Sequence, residues 1–291
     1  MRSFDLLQPR SVDEAVALSA KHGEDARFVA GGAMLTILLR QRVIAPRYLI
    51  SLSDIGELSG FRANGAALHV GAMTTLRDLE RAREIQQTWP VLAEAAHLVG
   101  NVRVRNVATL GGHLAQADAH MDLPPVLLAL GATVQLRGAQ GIRDLPLDDF
   151  LTGYYETALA TNEMISAISV PAPPAGLHGV YLKYCSLSPN DWPTVGIATF
   201  LQAEQGRAMD VRIVAGSVAD RPLRLPEAEA LLVGERLSRA AVAEVGRRYA
   251  AAADPIPDVR GSADYKRRVT DVFVQRAVAQ AAARAGLDVA T

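Results

Sequence analysis

Asn101-Val-Arg-Val-Arg-Asn-Val-Ala-Thr-Leu-Gly-Gly-His-Leu-Ala-Gln-Ala-Asp-Ala-His-Met-Asp122 decides how this chain is read. It sets polar residues, a Gly-Gly pair and two aspartates between two apolar helical patterns. Glycine has no Cβ, so N–H groups at Gly111 and Gly112 can approach a ligand closely. Thr109 adds a hydroxyl donor, and Asp118 and Asp122 can accept from sugar hydroxyls. A similar turn stands earlier, at Val29-Ala-Gly-Gly-Ala-Met-Leu35. Both read as strand-to-helix turns, where main-chain amides and the helix dipole favour an anion. Neither is a G-x-G-x-x-G fingerprint or a phosphate loop ending in Gly-Lys-Ser/Thr. Two such turns in one domain suggest a ligand with two phosphates, held from two sides. Two ordinary tight turns are the plain alternative.

Working outward, Ser11-Val-Asp-Glu14 is a capping box that opens a short helix to about Lys21. Strands are expected at 26–30 and 48–52, with an apolar helix from Met34 between them. That β–turn–helix–β order is an α/β unit. Further strands are expected at 67–70, 132–136 and 164–170, and helices at 90–99 and 123–130. Pro171-Ala-Pro-Pro-Ala-Gly176 passes neither a helix nor a strand and reads as a linker. Beyond it, strands are expected at 180–185, 195–203 and 211–218, then helices at about 238–252 and 263–285. The fold class is α+β. Residues 1–174 form a ligand-binding domain of two α/β subdomains, and 175–291 a C-terminal domain with a small antiparallel sheet and helices.

Composition narrows the function. With 30 basic and 31 acidic residues the formal charge is -1, which gives nucleic acid no electrostatic case. No apolar run reaches the roughly 18 residues of a membrane span, and the N-terminus lacks a signal-peptide core, so a cytoplasmic location is the default. The single cysteine, Cys185, excludes an internal disulfide and a four-cysteine iron–sulfur cluster. Redox chemistry would therefore need an organic cofactor. Cys185 itself reads as a small apolar core residue.

The motifs resemble the FAD-binding (medium) subunit of the molybdenum hydroxylases, of the carbon monoxide dehydrogenase and xanthine dehydrogenase type. Ala30-Gly-Gly-Ala-Met-Leu35 is similar to the family's A-G-G-x-S/T-L turn. Val104 to Pro124 is similar to its long V-R-N-x-A-T-I-G-G-N/S-L-A-x-A-x-P-x-x-D pattern. Asn162-Glu-Met-Ile165, Tyr181-Leu-Lys183 and Gly261-Ser-Ala-Asp-Tyr-Lys266 add support, and the resemblance spans nearly the whole chain.

The resemblance implies FAD in an extended pose between two subdomains of the N-terminal region. Ala30, Gly31, Gly32, Ala33, Met34 and Leu35, with Thr109, Leu110, Gly111, Gly112 and His113, would surround its pyrophosphate. Asp122 would bond ribose or ribityl hydroxyls, and Val99 and Ile165 would touch the cofactor through backbone or apolar atoms. Lys183 would stabilise charge on the reduced flavin, and Trp192 would lie beside the isoalloxazine ring. No residue of this chain is implied as catalytic or as a metal ligand.

The implied function is electron transfer within a heterotrimer, arranged as a dimer of heterotrimers. A small subunit with two [2Fe–2S] clusters would reduce the FAD, which passes electrons to an external acceptor. A large subunit with the molybdenum cofactor would oxidise the substrate. The chain departs from the pattern at Ala33, Met34 and His113, and an arginine common after the lysine is missing from Cys185-Ser-Leu-Ser-Pro189. These departures keep a second reading open: a nucleotide-binding or scaffold subunit without redox-active flavin. The span between Ala117 and Pro125 has no room for the cluster-bearing insertion of the 4-hydroxybenzoyl-CoA reductase branch. Arg103 and Arg105 read as solvated surface, and Asp118 as a turn cap. His97 and His120 match no zinc spacing.

Overall fold

A computed structural model describes residues 3–290, which fall into two compact units. The first holds the chain up to Ala82, then Asn101–Ala117 and Gly131–Ala172; the second holds Arg83–Gly100, Asp118–Leu130 and the chain from Pro173 onward. The chain leaves the first unit for the last time at Ala172, inside the proline-rich linker. The units do not follow the linear division at 174/175, because two helical segments from the N-terminal half pack with the C-terminal half.

In the first unit, Val12–His22 forms the expected first helix. The Ser11 hydroxyl accepts from the Glu14 N–H, and the Glu14 carboxylate accepts from the Arg10 N–H, a shifted capping box. The helix buries Val12, Ala15 and Val16 against Ile50, Leu52 and Ile55. Each fully buried aliphatic side chain contributes about 2 kcal/mol. Ala26–Val29 and Tyr48–Ser51 pair in parallel, joined through the helix Leu35–Gln41. Asp5–Leu7 adds a third parallel strand on the other side of Tyr48–Ser51.

The unit's second sheet is antiparallel. Its strand order is Phe61–Ala63, Ala67–Gly71, Met164–Pro171, Thr133–Gly138, Gly141–Pro146. The central strand, Met164–Pro171, is the most buried, and the edge strand Gly141–Pro146 is largely exposed. The helix Leu110–Gln116 packs on the 164–171 and 67–71 strands, which places the second glycine motif on this sheet.

The second unit is built on a four-stranded antiparallel sheet, in the order Leu177–Tyr184, Val195–Glu204, Arg207–Gly216, Leu223–Arg224. The helices Arg239–Ala252 and Ala263–Arg284 pack together, and their core joins Val245, Tyr249, Val274 and Val278 to Ile197 and Ile213 of the sheet. Leu123–Ala129 contacts the two central strands and the helix Pro90–Leu98. Its Pro125 lies so near Gly216 that a Cβ there would sit 2.6 Å from the ring. The fold is α+β, with the expected small antiparallel sheet in the C-terminal part.

After Gly216, Ser217 takes φ +68° with only 4% exposure, and its hydroxyl has no partner among the described residues. A left-handed serine costs about 1 kcal/mol and a buried, unbonded hydroxyl adds to it. Ser217→Gly removes both and is expected to stabilise the protein by about 1 kcal/mol, read as an upward shift in thermal melting; a lower melting temperature would contradict this.

Candidate functional site

Two constellations carry the predicted site residues, one in each unit. In the first unit the strand Ala26–Val29 ends at Ala30, and Gly32 turns the chain with φ +71°. The Thr36 N–H and hydroxyl both donate to the Gly32 carbonyl, at 3.0 and 2.7 Å. The Leu38 N–H donates to the Met34 carbonyl, so the amides of Gly32, Ala33 and Met34 precede the helical ladder. Met34 offers no side-chain cap, and Thr36 supplies the side-chain hydrogen bond at this turn. Thr36 is a polar neighbour of the turn that sequence reasoning missed; its spacing four residues after Gly32 was the available signal.

The second motif lies directly against the first. A Cβ on Gly31 would stand 1.6 Å from the Val107 carbonyl oxygen and 3.2 Å from the Ala108 Cα. A Cβ on Gly112 would meet the Thr109 hydroxyl at 3.0 Å and the Ala30 Cβ at 3.4 Å. The two glycine turns, some 80 residues apart in sequence, therefore touch through glycine.

The second turn differs in form from the expectation. It does not follow a strand: a helical turn, Val102–Arg105, precedes it, capped by the Asn101 side chain. Thr109 is the N-cap of Leu110–Gln116, its hydroxyl accepting from the Gly112 N–H at 3.1 Å. The N–H groups of Leu110 and Gly111 donate to the carbonyls of Thr74 and Ala72, at 2.9 and 2.8 Å. Gly111 thus serves close packing on Ala72, where a Cβ would stand 2.6 Å from the alanine methyl, and its amide is already engaged. His113 continues the same helix, its N–H bonded to the Thr109 carbonyl. The helix after the first glycine pair and the helix that contains the second are each only seven residues long, so the backbone amides matter more than any helix dipole.

Arg105 corrects the surface reading. It is buried, and its Nε donates to Glu80 at 2.8 Å while Arg77 holds the other carboxylate oxygen at 2.6 Å. This network ties Val102–Arg105 to the helix Leu76–Arg81 and so fixes the backbone that reaches Gly31. Ile165 is buried on the central strand of the antiparallel sheet, where a bulge follows it before Ala167.

The second unit brings Val99, Asp122, Lys183 and Trp192 into one body. Val99 is the buried C-cap of Pro90–Leu98. Asp122, expected at the sugar hydroxyls, is 3% exposed. One of its oxygens accepts from the Tyr181 hydroxyl at 2.9 Å and the other from Lys183 Nζ at 3.1 Å. Nζ also donates to the Leu98 carbonyl at 2.8 Å, and both charged side chains are 4% exposed. Tyr181 and Leu98 were not singled out from sequence; alternation placed the tyrosine two residues before the lysine, on the same strand face.

Burial pushes the Asp122 carboxyl up to about 6 against the opposing pull of Lys183 and Tyr181. Burial, then the Asp122 charge, holds the Tyr181 hydroxyl protonated well above the phenolic range, so it remains the donor. Asp118 caps a turn: its carboxylate accepts from the N–H and Nδ1 of His120, at 2.9 and 3.0 Å. Trp192 is 40% exposed on the loop after Lys183. Cys185, read as a core residue, lies instead half-buried at the start of that loop, its sulfur near the carbonyls of Asp191 and Trp192.

Residues 2–173 match the family model described as the FAD binding domain in molybdopterin dehydrogenase, and residues 181–281 the one described as the CO dehydrogenase flavoprotein C-terminal domain. The chain is 35% identical over 283 residues to the carbon monoxide dehydrogenase medium chain of Afipia carboxidovorans, covering 97% of this chain and 98% of the relative. It is 34% identical to the 6-hydroxypseudooxynicotine dehydrogenase complex subunit alpha of Paenarthrobacter nicotinovorans, covering 97% and 96%. The carbon monoxide dehydrogenase structure from Hydrogenophaga pseudoflava superposes with a TM-score of 0.94 at 38% identity, covering 97% of this chain and 98% of that one.

Three outcomes are expected of these residues. Gly31→Ala forces the two motifs apart and destabilises the protein by about 3 kcal/mol in denaturant unfolding; an unchanged midpoint would refute the contact. Asp122→Ala leaves Lys183 buried without its counter-charge and costs about 3 kcal/mol, whereas Asp122→Leu with Lys183→Met costs less than either single change. Raised above its unfolded value, the Asp122 pKa gives a contribution fully present below about pH 4 and lost as pH rises through about 6. The wild-type minus Asp122→Asn stability difference is therefore expected to vary between those values and be flat above them.

Proposed function

Because the chain belongs to the family of FAD-binding medium subunits of the molybdopterin dehydrogenases, we propose that it carries FAD and relays electrons within such a complex. The observation that carries this reading is the contact of the two glycine turns, with Gly31 seated on the Val107 carbonyl. That contact joins the turn that carries the amides of Gly32, Ala33 and Met34 to the segment that carries the Thr109–Gly112 cap, and we read the two as one polar patch. Such a patch suits a pyrophosphate, whose oxygens take several short N–H donors at once. The residues thus fit the group, with Ala30 to Leu35 supplying backbone donors and Gly112, Thr109 and His113 completing the cradle. Gly111 and Leu110 shape it without donating.

FAD, when bound, supplies the step between one-electron carriers and a two-electron acceptor. Electrons are proposed to arrive from [2Fe–2S] clusters on a small subunit and to leave to an external acceptor. The molybdenum cofactor and substrate oxidation belong to a large subunit. Two relatives of nearly equal identity are named for different substrates, so this chain's own sequence does not select one.

In the second unit, Lys183 is proposed as the cation near the flavin, and Trp192 and Val99 as its apolar contacts. Two of the three Nζ donors go to Asp122 and Leu98, which leaves one to offer. Asp122 is proposed to act by orienting and partly neutralising that ammonium rather than by holding sugar hydroxyls. A cytoplasmic site and a dimer of heterotrimers complete the proposal.

The purified chain is expected to show flavin absorbance that bleaches with dithionite. Gly112→Asp adds a like charge to the cradle and weakens FAD at least about tenfold more than Gly112→Ala, which crowds the Thr109 hydroxyl equally without the charge. A colourless protein that takes up no added FAD would instead favour the nucleotide-binding or scaffold reading.

A further inference from the structure

The Arg260-Gly-Ser-Ala-Asp-Tyr-Lys266 segment has no part in the cofactor cradle, yet Arg260, Tyr265 and Lys266 each reach beyond it to a defined partner, while Ser262 caps the helix that follows. Arg260 is 14% exposed, and its guanidinium donates to Asp191 at 3.1 Å and to Asp258 at 3.0 Å. Its central carbon lies 5.5 Å from the centre of the Trp192 ring, a cation–π contact on a ring that is otherwise 40% exposed. The Arg260 carbonyl accepts from the Ser186 hydroxyl at 2.9 Å, and Ser186 is tied to Thr194 across the base of the loop. The Tyr265 hydroxyl meets that of Tyr184, the residue after Lys183.

The arginine is itself held from behind. Asp258 accepts from the Arg260 N–H at 2.8 Å and from Lys266 Nζ at 2.9 Å, and Lys266 is fully buried, also donating to the Ile256 carbonyl. Burial alone would raise the Asp258 carboxyl, but its bonds from Lys266 and Arg260 bring it down to about 2, so it is a fixed anion. Asp258 and Gly261 close the turn between them with two backbone hydrogen bonds. A rigid, charged turn thus grips a loop of ten residues, 185–194, that has little apolar anchoring of its own.

We propose that Arg260 is a positioning residue that clamps the 185–194 loop and sets the Trp192 indole for its place beside the flavin. The inference rests on the reading of Trp192 as a flavin contact. Arg260 covers the indole while its two ion pairs fix where the guanidinium can be, so the ring's freedom is removed before any cofactor is bound. An ammonium in its place keeps the charge but cannot bridge Asp191 and Asp258 and cover the ring together, because the planar fork is what spans all three.

The test uses the full chain labelled with 5-fluorotryptophan, whose two tryptophans, Trp89 and Trp192, give two fluorine resonances. Arg260→Met is expected to shift and broaden the Trp192 resonance and to raise its quenching by acrylamide about twofold, with Trp89 unmoved as the sign of an intact fold. Arg260→Lys is expected to lie nearer to Met than to wild type. In the assembled, flavin-loaded complex, Arg260→Met and Trp192→Ala are both expected to speed oxygen reoxidation of the reduced flavin severalfold. An unchanged Trp192 resonance in Arg260→Met overturns the clamp. Faster reoxidation in Trp192→Ala alone overturns the role of Arg260 and leaves the flavin reading of Trp192 standing. No change in either variant overturns that reading and the inference with it.

Discussion

The close approach of Gly31 to the Val107 carbonyl is the constraint on which the first unit's site depends. Two turns from distant parts of the sequence can share one ligand only if their backbones come nearer than side chains permit. Glycine at 31 permits that approach, glycine at 111 lets the second turn settle on Ala72, and φ +71° at Gly32 turns the first chain into its helix. The supports are of different kinds: a parallel sheet carries one turn and an antiparallel sheet the other. The buried Arg105–Glu80 pair then fixes the segment that presents Val107. The proposed binding by backbone asks nothing of the Ala33 and Met34 side chains, so it is compatible with both residues.

The second unit solves a different problem, holding a lysine where water is scarce. Lys183 is stable there because Asp122 and the Leu98 carbonyl accept hydrogen bonds from its ammonium, and Asp122 is stable because Tyr181 adds a second donor. The carboxyl's rise to about 6 shows that burial outweighs this help. The ammonium's electrostatic strength therefore depends on pH in a range that matters to living cells: neutralised by its partner above about 6, and acting alone below it.

Much of this was legible in the sequence. The capping box, the strand–turn–helix start, the strands expected at 67–70 and 164–170 and both long C-terminal helices follow from hydrophobic period and capping chemistry, and the small antiparallel sheet of the C-terminal part was expected too. Gly141–Pro146 escaped because an exposed edge strand carries no apolar alternation, and Asp5–Leu7 because three residues are too few to show a period. At the site, glycine pairs announce a close approach but not what approaches. Only the fold shows that Gly31 meets Val107 while Gly111 meets Ala72 and is spent on packing. Arg105 looked like surface because its partner, Glu80, is 25 residues away. Asp122 looked like a sugar ligand because its partners come from Tyr181 and Lys183, some 60 residues on. Sequence spacing announces local partners; buried charge finds its partner through the fold.

The central claim is that the two touching glycine turns receive the cofactor's pyrophosphate through backbone amides. Amide hydrogen exchange of the flavin-free chain, with and without added FAD, tests it most directly. The account predicts strong new protection at Gly32, Ala33 and Met34, and little change at Leu110, Gly111 and Gly112, whose amides are already bonded within the fold. Binding of FAD that leaves the 31–35 amides exchanging as before would contradict it.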